Sequence, residues 1–259
     1  MPTRIEWCDE TINPITGCTP ISPGCDNCYA KKLSNRLKGR HGYPADYPFM
    51  PGTFHLSELE KPLKWKKKRR IFISSMGDLF HPSVKYSDFE EIMQVVAETT
   101  HTYIMLTKRP QIMLEHMKLY TNEEILLPDN LWLGVTAENQ RTADERIPVL
   151  LQIPAAIRFV SVEPMLSGID LFQAKAINGG PCGGGGEAGP VEYDIVSYLD
   201  WVICGAETGP GKRPMDLDWA RRIRDQCRAA GVPFFFKKAT GPTPDDLMIR
   251  ENPGYQIFI

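Results

Sequence analysis

Three cysteines cluster near the start of this chain, and the fourth that a closed metal site would use is missing. Cys18, Cys25 and Cys28 fall within eleven residues, in GCTPISPGCDNCYA. Also missing is any apolar run of the roughly 18 residues needed to span a membrane, and MPTRIEWCDET has no apolar core of a secretory signal. Seven cysteines, an odd number, make no small secreted disulfide framework. A net charge of -2 excludes a wholly basic nucleic-acid coat but leaves local patches open. These absences describe a soluble, cytoplasmic protein in a reducing compartment. With 42% hydrophobic residues in 259, one large core can be filled, and we expect a single domain over 1–259.

Thiolates are soft ligands for zinc and for iron-sulfur clusters, and a structural zinc or fully ligated cluster takes four protein ligands. Three alone leave one coordination position open. Buried cysteines often serve only as small apolar groups. Cys204, in WVIC, and Cys227, on the amphipathic DWARRIRDQCRAAG, read that way. Cys25 and Cys28 form a C-x2-C among Pro20, Pro23 and Gly24, a setting poor for core packing. A zinc site completed by a histidine or Cys8 remains open beside the iron-sulfur reading.

Downstream, apolar runs alternate with helical periodicity. Strands are expected at INPITG, 71–75, 103–107, 131–136, 157–163, 200–207 and 233–238, with helices in most of the gaps. SDFEEIMQVVAETT carries Phe89, Ile92, Met93 and Val96 at helical spacing, with Ser87 or Asp88 as N-cap. Such alternation implies a parallel sheet flanked by helices. Polar residues gather at almost every strand end: Ser74, Ser75 and Asp78; Thr107, Lys108 and Arg109; Thr136, Glu138 and Asn139; Glu163; Glu207 and Thr208; Lys237 and Lys238. A doubly wound sheet would concentrate such groups at one switch point, whereas a barrel collects them from many strands. The expectation is an α/β fold of partial (β/α)6 TIM-barrel type, with a basic and aromatic insertion at about 38–70 and a glycine-rich mobile loop at about 178–190. That loop, INGGPCGGGGEAGP, holds Cys182 and lacks the phosphate-loop pattern.

A three-cysteine loop directly after the first strand of such a barrel is similar to the radical S-adenosylmethionine superfamily, although the spacing here is C-x6-C-x2-C rather than C-x3-C-x2-C. The set NPITGC, SPGCDNCYA, SSMGDLFHP, LTKRP, LWLGVTAEN, VSVEPML, ICGAETGPG and PFFFKK resembles the phage Gp37/Gp68 family over nearly the whole chain. The resemblance implies a 4Fe-4S cluster on Cys18, Cys25 and Cys28 and S-adenosylmethionine on the fourth iron. It also implies reductive cleavage to a 5'-deoxyadenosyl radical that abstracts hydrogen from a substrate, and an electron donor of flavodoxin or ferredoxin type. Ser74, Ser75, Gly77 and Asp78 would then contact the methionine amino group.

Other roles follow from side-chain chemistry. A carboxylate beside an amide suits a vicinal diol, so Glu138 and Asn139 are assigned to ribose hydroxyls. Glu163 and Glu207 would orient substrate or cofactor, and Lys108 and Arg109 would hold a carboxylate or phosphate. His81 is a structural loop histidine or a proton donor. KPLKWKKKRR, with Trp65 among its cations, is either a solvated lead-in to a strand or a contact for phosphates and a base. It makes a nucleic acid or nucleotide the first choice of substrate, with a partner protein to deliver it left open. Two alternatives stand beside the enzyme: a zinc-stabilised nucleic-acid-binding module, and an iron-sulfur protein that transfers electrons or senses redox state without S-adenosylmethionine.

Overall fold

A computed structural model describes residues 5–121, 125–172 and 195–254. The glycine-rich segment with Cys182 lies outside the described residues. The strands of the main sheet are β1 (Glu10–Ile12), β4 (Arg70–Ile73), β5 (Thr102–Thr107), β6 (Leu131–Thr136), β7 (Ile157–Val162), β8 (Trp201–Cys204) and β9 (Phe234–Phe236). A separate antiparallel pair joins β2 (Ile15–Thr16) to β3 (Thr53–Phe54). The helices are α1 (Tyr29–Ser34), α2 (Glu60–Lys64), α3 (Tyr86–Glu98), α4 (Pro110–Tyr120), α5 (Gln140–Leu150) and α6 (Leu217–Ala230).

Runs such as RIFI, WVIC and FFF are almost wholly apolar, as strands covered on both faces must be. The seven strands lie in the order β1-β4-β5-β6-β7-β8-β9. Main-sheet strands thus follow one another in chain order, without the reversal that marks a doubly wound sheet. The fold is α/β, on a seven-stranded sheet with the singly wound order of a half-barrel. The chain divides into two compact units, Met1–Leu133 and Gly134–Ile259.

In the first unit, β1 pairs in parallel with β4, Ile12 opposite Ile73, and β4 with β5, Ile73 opposite Met105. The first sheet strand begins at Glu10, earlier than INPITG suggests, and retains only Ile12 of that segment. Pro14 has no N–H for a ladder, and beyond it Ile15 turns away to pair with Phe54. α3 starts at Tyr86 with Lys85 as N-cap, so Ser87 and Asp88 lie inside the first turn rather than capping it. Its Phe89, Ile92, Met93 and Val96 are buried as their spacing requires.

The cationic run around Trp65 leads into the N-terminal end of β4, whereas the cysteines follow the C-terminal end of β1. Trp65 carries the Arg69 guanidinium over its ring, 5.0 Å from the centroid, and meets His101 edge-on at 5.9 Å. Lys61, Lys64, Arg69 and Arg70 are paired with Glu58, Glu60, Glu10 and Asp9.

In the second unit, β7 and β8 pair in parallel with Phe159 opposite Trp201, and β8 and β9 with Val202 opposite Phe234. Asn139 and Thr142 form a capping box at the start of α5. Asp216 caps α6, which ends at Gly231 in the left-handed conformation, φ 69°.

Candidate metal centre and its surroundings

The cysteine loop leaves β2 through Gly17, whose φ is 80°. A Cβ there would lie 1.8 Å from the Met50 carbonyl oxygen, so only glycine fits. Gly17 N–H donates to Met76 O at 3.0 Å, and Gly17 bridges Gly77 in parallel. The loop is therefore stitched to the segment that follows β4. Cys18, Cys25 and Cys28 follow, all free thiols of intermediate exposure. Cys18 and Cys28 pack against the apolar cluster of Ala30, Tyr43, Phe49 and Met76.

Arg109 anchors the loop. It is 8% exposed, and its Nη1 donates to Asp78 Oδ2 at 3.0 Å and to Cys18 Sγ at 3.3 Å. Nη2 donates to the Thr19 carbonyl at 2.8 Å and to Thr19 Oγ1 at 3.0 Å. Asp78 Oδ1 accepts from Thr107 Oγ1 at 2.7 Å and from Phe80 N–H at 3.0 Å. A planar guanidinium suits this fork, since its donors diverge at fixed angles. On the other side of Thr19 lies His81. Its Nδ1 accepts from Ser83 N–H at 3.0 Å, so in the neutral ring Nε2 carries the proton and donates to Thr19 Oγ1 at 2.9 Å. Burial, with Arg109 adding and Asp78 opposing, holds His81 below its ordinary pKa, which favours that neutral ring.

The thiols differ. Burial pushes Cys18 up to about 11, with Asp78 adding to the rise and Arg109 opposing it. Burial also acts to raise Cys25, but the Lys108 ammonium and hydrogen bonds from Ile21 and Ser22 leave it below its ordinary value. Cys204 and Cys227 are buried apolar thiols, pushed by burial well above the usual range and to about 12 respectively. Among the described residues no three His, Cys, Asp or Glu side chains form a group for a single metal ion. A cubane cluster sets each thiolate on a separate iron.

Of the residues assigned to the methionine end, Ser75 Oγ donates to Asn13 Oδ1 at 3.0 Å and its carbonyl accepts from Tyr29 OH at 2.6 Å. Gly77 gives the close approach to Thr16 and Gly17. Asp78 is occupied by Arg109, Thr107 and Phe80. Ser74 differs: it is 4% exposed, its φ is 60°, and its hydroxyl has no hydrogen-bond partner among the described residues.

In the second unit each strand-end acid holds a cation. Glu138 is fully buried and accepts from Arg146 Nη1 at 3.0 Å. Asn139 caps α5 through Thr142 N–H at 3.0 Å. Glu207 binds the backbone and guanidinium of Arg213. Glu163 pairs with Lys237 at 3.0 Å and accepts from Ser161 Oγ at 3.3 Å.

Sequence reasoning missed Asn13, Thr19 and Tyr29 as parts of the first-unit network, whereas Thr107 stood among the polar groups named at the strand ends. Thr19 and Tyr29 sit beside cysteines that were singled out, but a hydroxyl or amide acting through a neighbour leaves no spacing pattern. Arg146 and Arg213 were missed for a related reason, since their partners lie several residues back along the chain.

An α/β protein with a three-cysteine loop locked by a buried arginine is the class that fold and site define. The sequence matches the family described as "Protein of unknown function (DUF5131)" over residues 2–253, and the chain belongs to that family. No curated protein and no solved structure matches it.

Proposed function

We propose that the chain is a radical S-adenosylmethionine enzyme in which Cys18, Cys25 and Cys28 hold three irons of a 4Fe-4S cluster and S-adenosylmethionine takes the fourth. The observation that carries the reading is Ser74. A buried hydroxyl without a partner costs about 1–3 kcal/mol, and a non-glycine residue at positive φ adds about 1–3 kcal/mol. Both costs fall on one residue, in the segment hydrogen-bonded to the cysteine loop. An incoming ammonium would satisfy that oxygen, as the methionine moiety requires.

The donor set fits as well. Three thiols, soft ligands once deprotonated on a metal, stand partly exposed, two of them against an apolar wall that limits water, and Arg109 adds positive charge at Cys18. When bound, the cluster supplies the electron for reductive cleavage of the sulfonium, and S-adenosylmethionine supplies the group that takes hydrogen from substrate. The chain's own residues bind and orient. Arg109, Thr19 and His81 hold the loop, and Lys108 favours the Cys25 thiolate. Ser74 accepts from the ligand.

Among the acids of the second unit, Glu163 is the one we assign to substrate. Its partner Lys237 is a flexible ammonium, whereas Glu138 and Glu207 are held by guanidinium groups that do not release a proton. The same reading takes the sheet as a partial TIM-type barrel, keeps the likeness to the phage Gp37/Gp68 family, places the chain in the cytoplasm and calls for an electron donor of flavodoxin or ferredoxin type. No helix among the described residues is long and apolar enough to cross a membrane.

Metal analysis after anaerobic reconstitution tests the proposal. We expect about four irons per chain and a broad visible absorbance, and a change in the electron paramagnetic resonance of the reduced cluster when S-adenosylmethionine is added. A colourless protein with one zinc, or a reduced cluster indifferent to S-adenosylmethionine, would overturn it.

A further inference from the structure

Between Asp26 and Asp46 the chain has no carboxylate side chain and five cations, Lys31, Lys32, Arg36, Lys38 and Arg40, although the whole protein is slightly acidic. The segment is α1 and the turns that continue it, where Arg36 N–H reaches Leu33 O and Arg40 N–H reaches Leu37 O. Ala30, Ser34 and Leu37 recur at helical spacing, the first two buried and Leu37 packed on the cluster that also touches Cys18 and Cys28. With that face turned inward, the five cations point outward, and all are exposed. Among the described residues, Lys31, Arg36, Lys38 and Arg40 make no ion pair.

This separates them from Lys61, Lys64, Arg69 and Arg70, which carboxylates neutralise; Lys66, Lys67 and Lys68 make no ion pair among the described residues either, but they lead into β4 from the end opposite the cysteine loop. A set of like charges left uncompensated on one ridge repels itself, and a polyanion relieves that repulsion. Tyr29 opens the ridge. It is 50% exposed, and its hydroxyl bond to Ser75 O fixes the ring. A fixed, half-exposed aromatic ring beside such cations is the pairing that single-stranded nucleic acids use, with phosphates on the cations and a base on the ring.

We propose that this ridge, from Tyr29 to Arg40, binds a single strand of nucleic acid and brings it to the cysteine loop, whose wall is the inner face of the same segment. The proposal rests on the radical reading only for what happens to the strand afterwards, because binding needs neither cluster nor S-adenosylmethionine. Nucleic-acid binding thus moves from the lysine run at 66–68, which enters β4 from its other end, to the segment that directly follows Cys28.

The test is fluorescence anisotropy of the full chain with a labelled single-stranded DNA of about 20 nucleotides, a length that exceeds a typical site of about 4–16. The triple variant Lys31→Glu/Arg36→Glu/Lys38→Glu should weaken binding by about tenfold or more, and should flatten the salt dependence by about 0.7 in log–log slope for each phosphate no longer neutralised. The neutral triple with Gln at the same positions should fall between. Lys66→Glu/Lys67→Glu/Lys68→Glu should bind like the parent. Anionic phosphatidylserine vesicles and polyglutamate serve as competing anions. The proposal is overturned if the parent does not bind the strand, if both ridge triples bind like the parent, if the 66–68 variant is weakened as much, or if either competing anion binds as tightly. A cluster that fails to form leaves this result standing, so the two readings fail separately.

Discussion

Ser74 concentrates what single residues say about this protein. Its hydroxyl is buried without a partner at φ 60°, so Ser74→Ala removes an unmet polar group and should leave thermal stability unchanged or raised. The same substitution should weaken S-adenosylmethionine binding by about ten- to a hundredfold, the worth of a hydrogen bond to a charged group at about 1.5–3 kcal/mol. A melting scan beside a binding titration checks both, and a lower melting temperature would show that the hydroxyl serves the fold. Arg109 offers the converse case. Arg109→Lys keeps the charge but cannot span Asp78, Cys18 and Thr19 together, so iron retained after gel filtration should fall clearly while far-ultraviolet circular dichroism stays as in the parent. Both positions stood out in the sequence as polar groups at strand ends. Their different roles did not, because whether a side chain is satisfied depends on neighbours up to 91 positions away, as Arg109 is from Cys18.

At the scale of elements, the cysteine loop depends on a backbone crossing that no side chain advertises. Gly17 sits under the Met50 carbonyl, and Gly17→Ala must push that backbone away. We expect a drop of about 3 kcal/mol or more in urea unfolding, together with failure to retain iron. Gly209, φ 93° with open space around its Cβ direction, is the control, and Gly209→Ala should cost only the backbone strain, about 1 kcal/mol. Equal drops would mean that φ strain, not the close approach, decides at Gly17. Most strands and helices were legible from apolar runs and 3.6-residue spacing. The first strand was misplaced because INPITG contains enough apolar residues to read as one piece, while Pro14 ends sheet pairing and hands Ile15 to the β3 strand. Likewise α3 starts before Ser87, as Lys85 takes the N-cap position without a side-chain bond.

For the whole molecule, acid should weaken the first unit through His116. Its ring lies among Phe80, Tyr86 and Phe89, and burial holds its pKa below the usual 6.5, with Glu115 opposing. The unfolded chain therefore takes up the proton first, so this contribution to stability is present above about pH 6.5 and is lost as pH falls below it. Urea midpoints at pH 7.5 and 5.5, in parent and His116→Gln, should show a smaller acid effect in the variant; an equal effect would remove His116 from the account. Alternation showed a parallel sheet and the polar groups at successive strand ends pointed to its chain order, whereas the division at β6 into two units was not legible, because a strand in mid-sheet carries no linker composition. Nor did the cationic run at 61–70 reveal that carboxylates already hold four of its seven cations and that a second uncompensated set lies on α1 and the turns after it, beside the cysteine loop. The central claim is that the three cysteines hold a cluster which cleaves S-adenosylmethionine. Its most direct measurement is 5'-deoxyadenosine formed by the anaerobically reconstituted, chemically reduced protein, beside Cys25→Ala. The account predicts 5'-deoxyadenosine from the parent and none from the variant; a parent that keeps its cluster yet forms none, or a variant that forms as much, would contradict it.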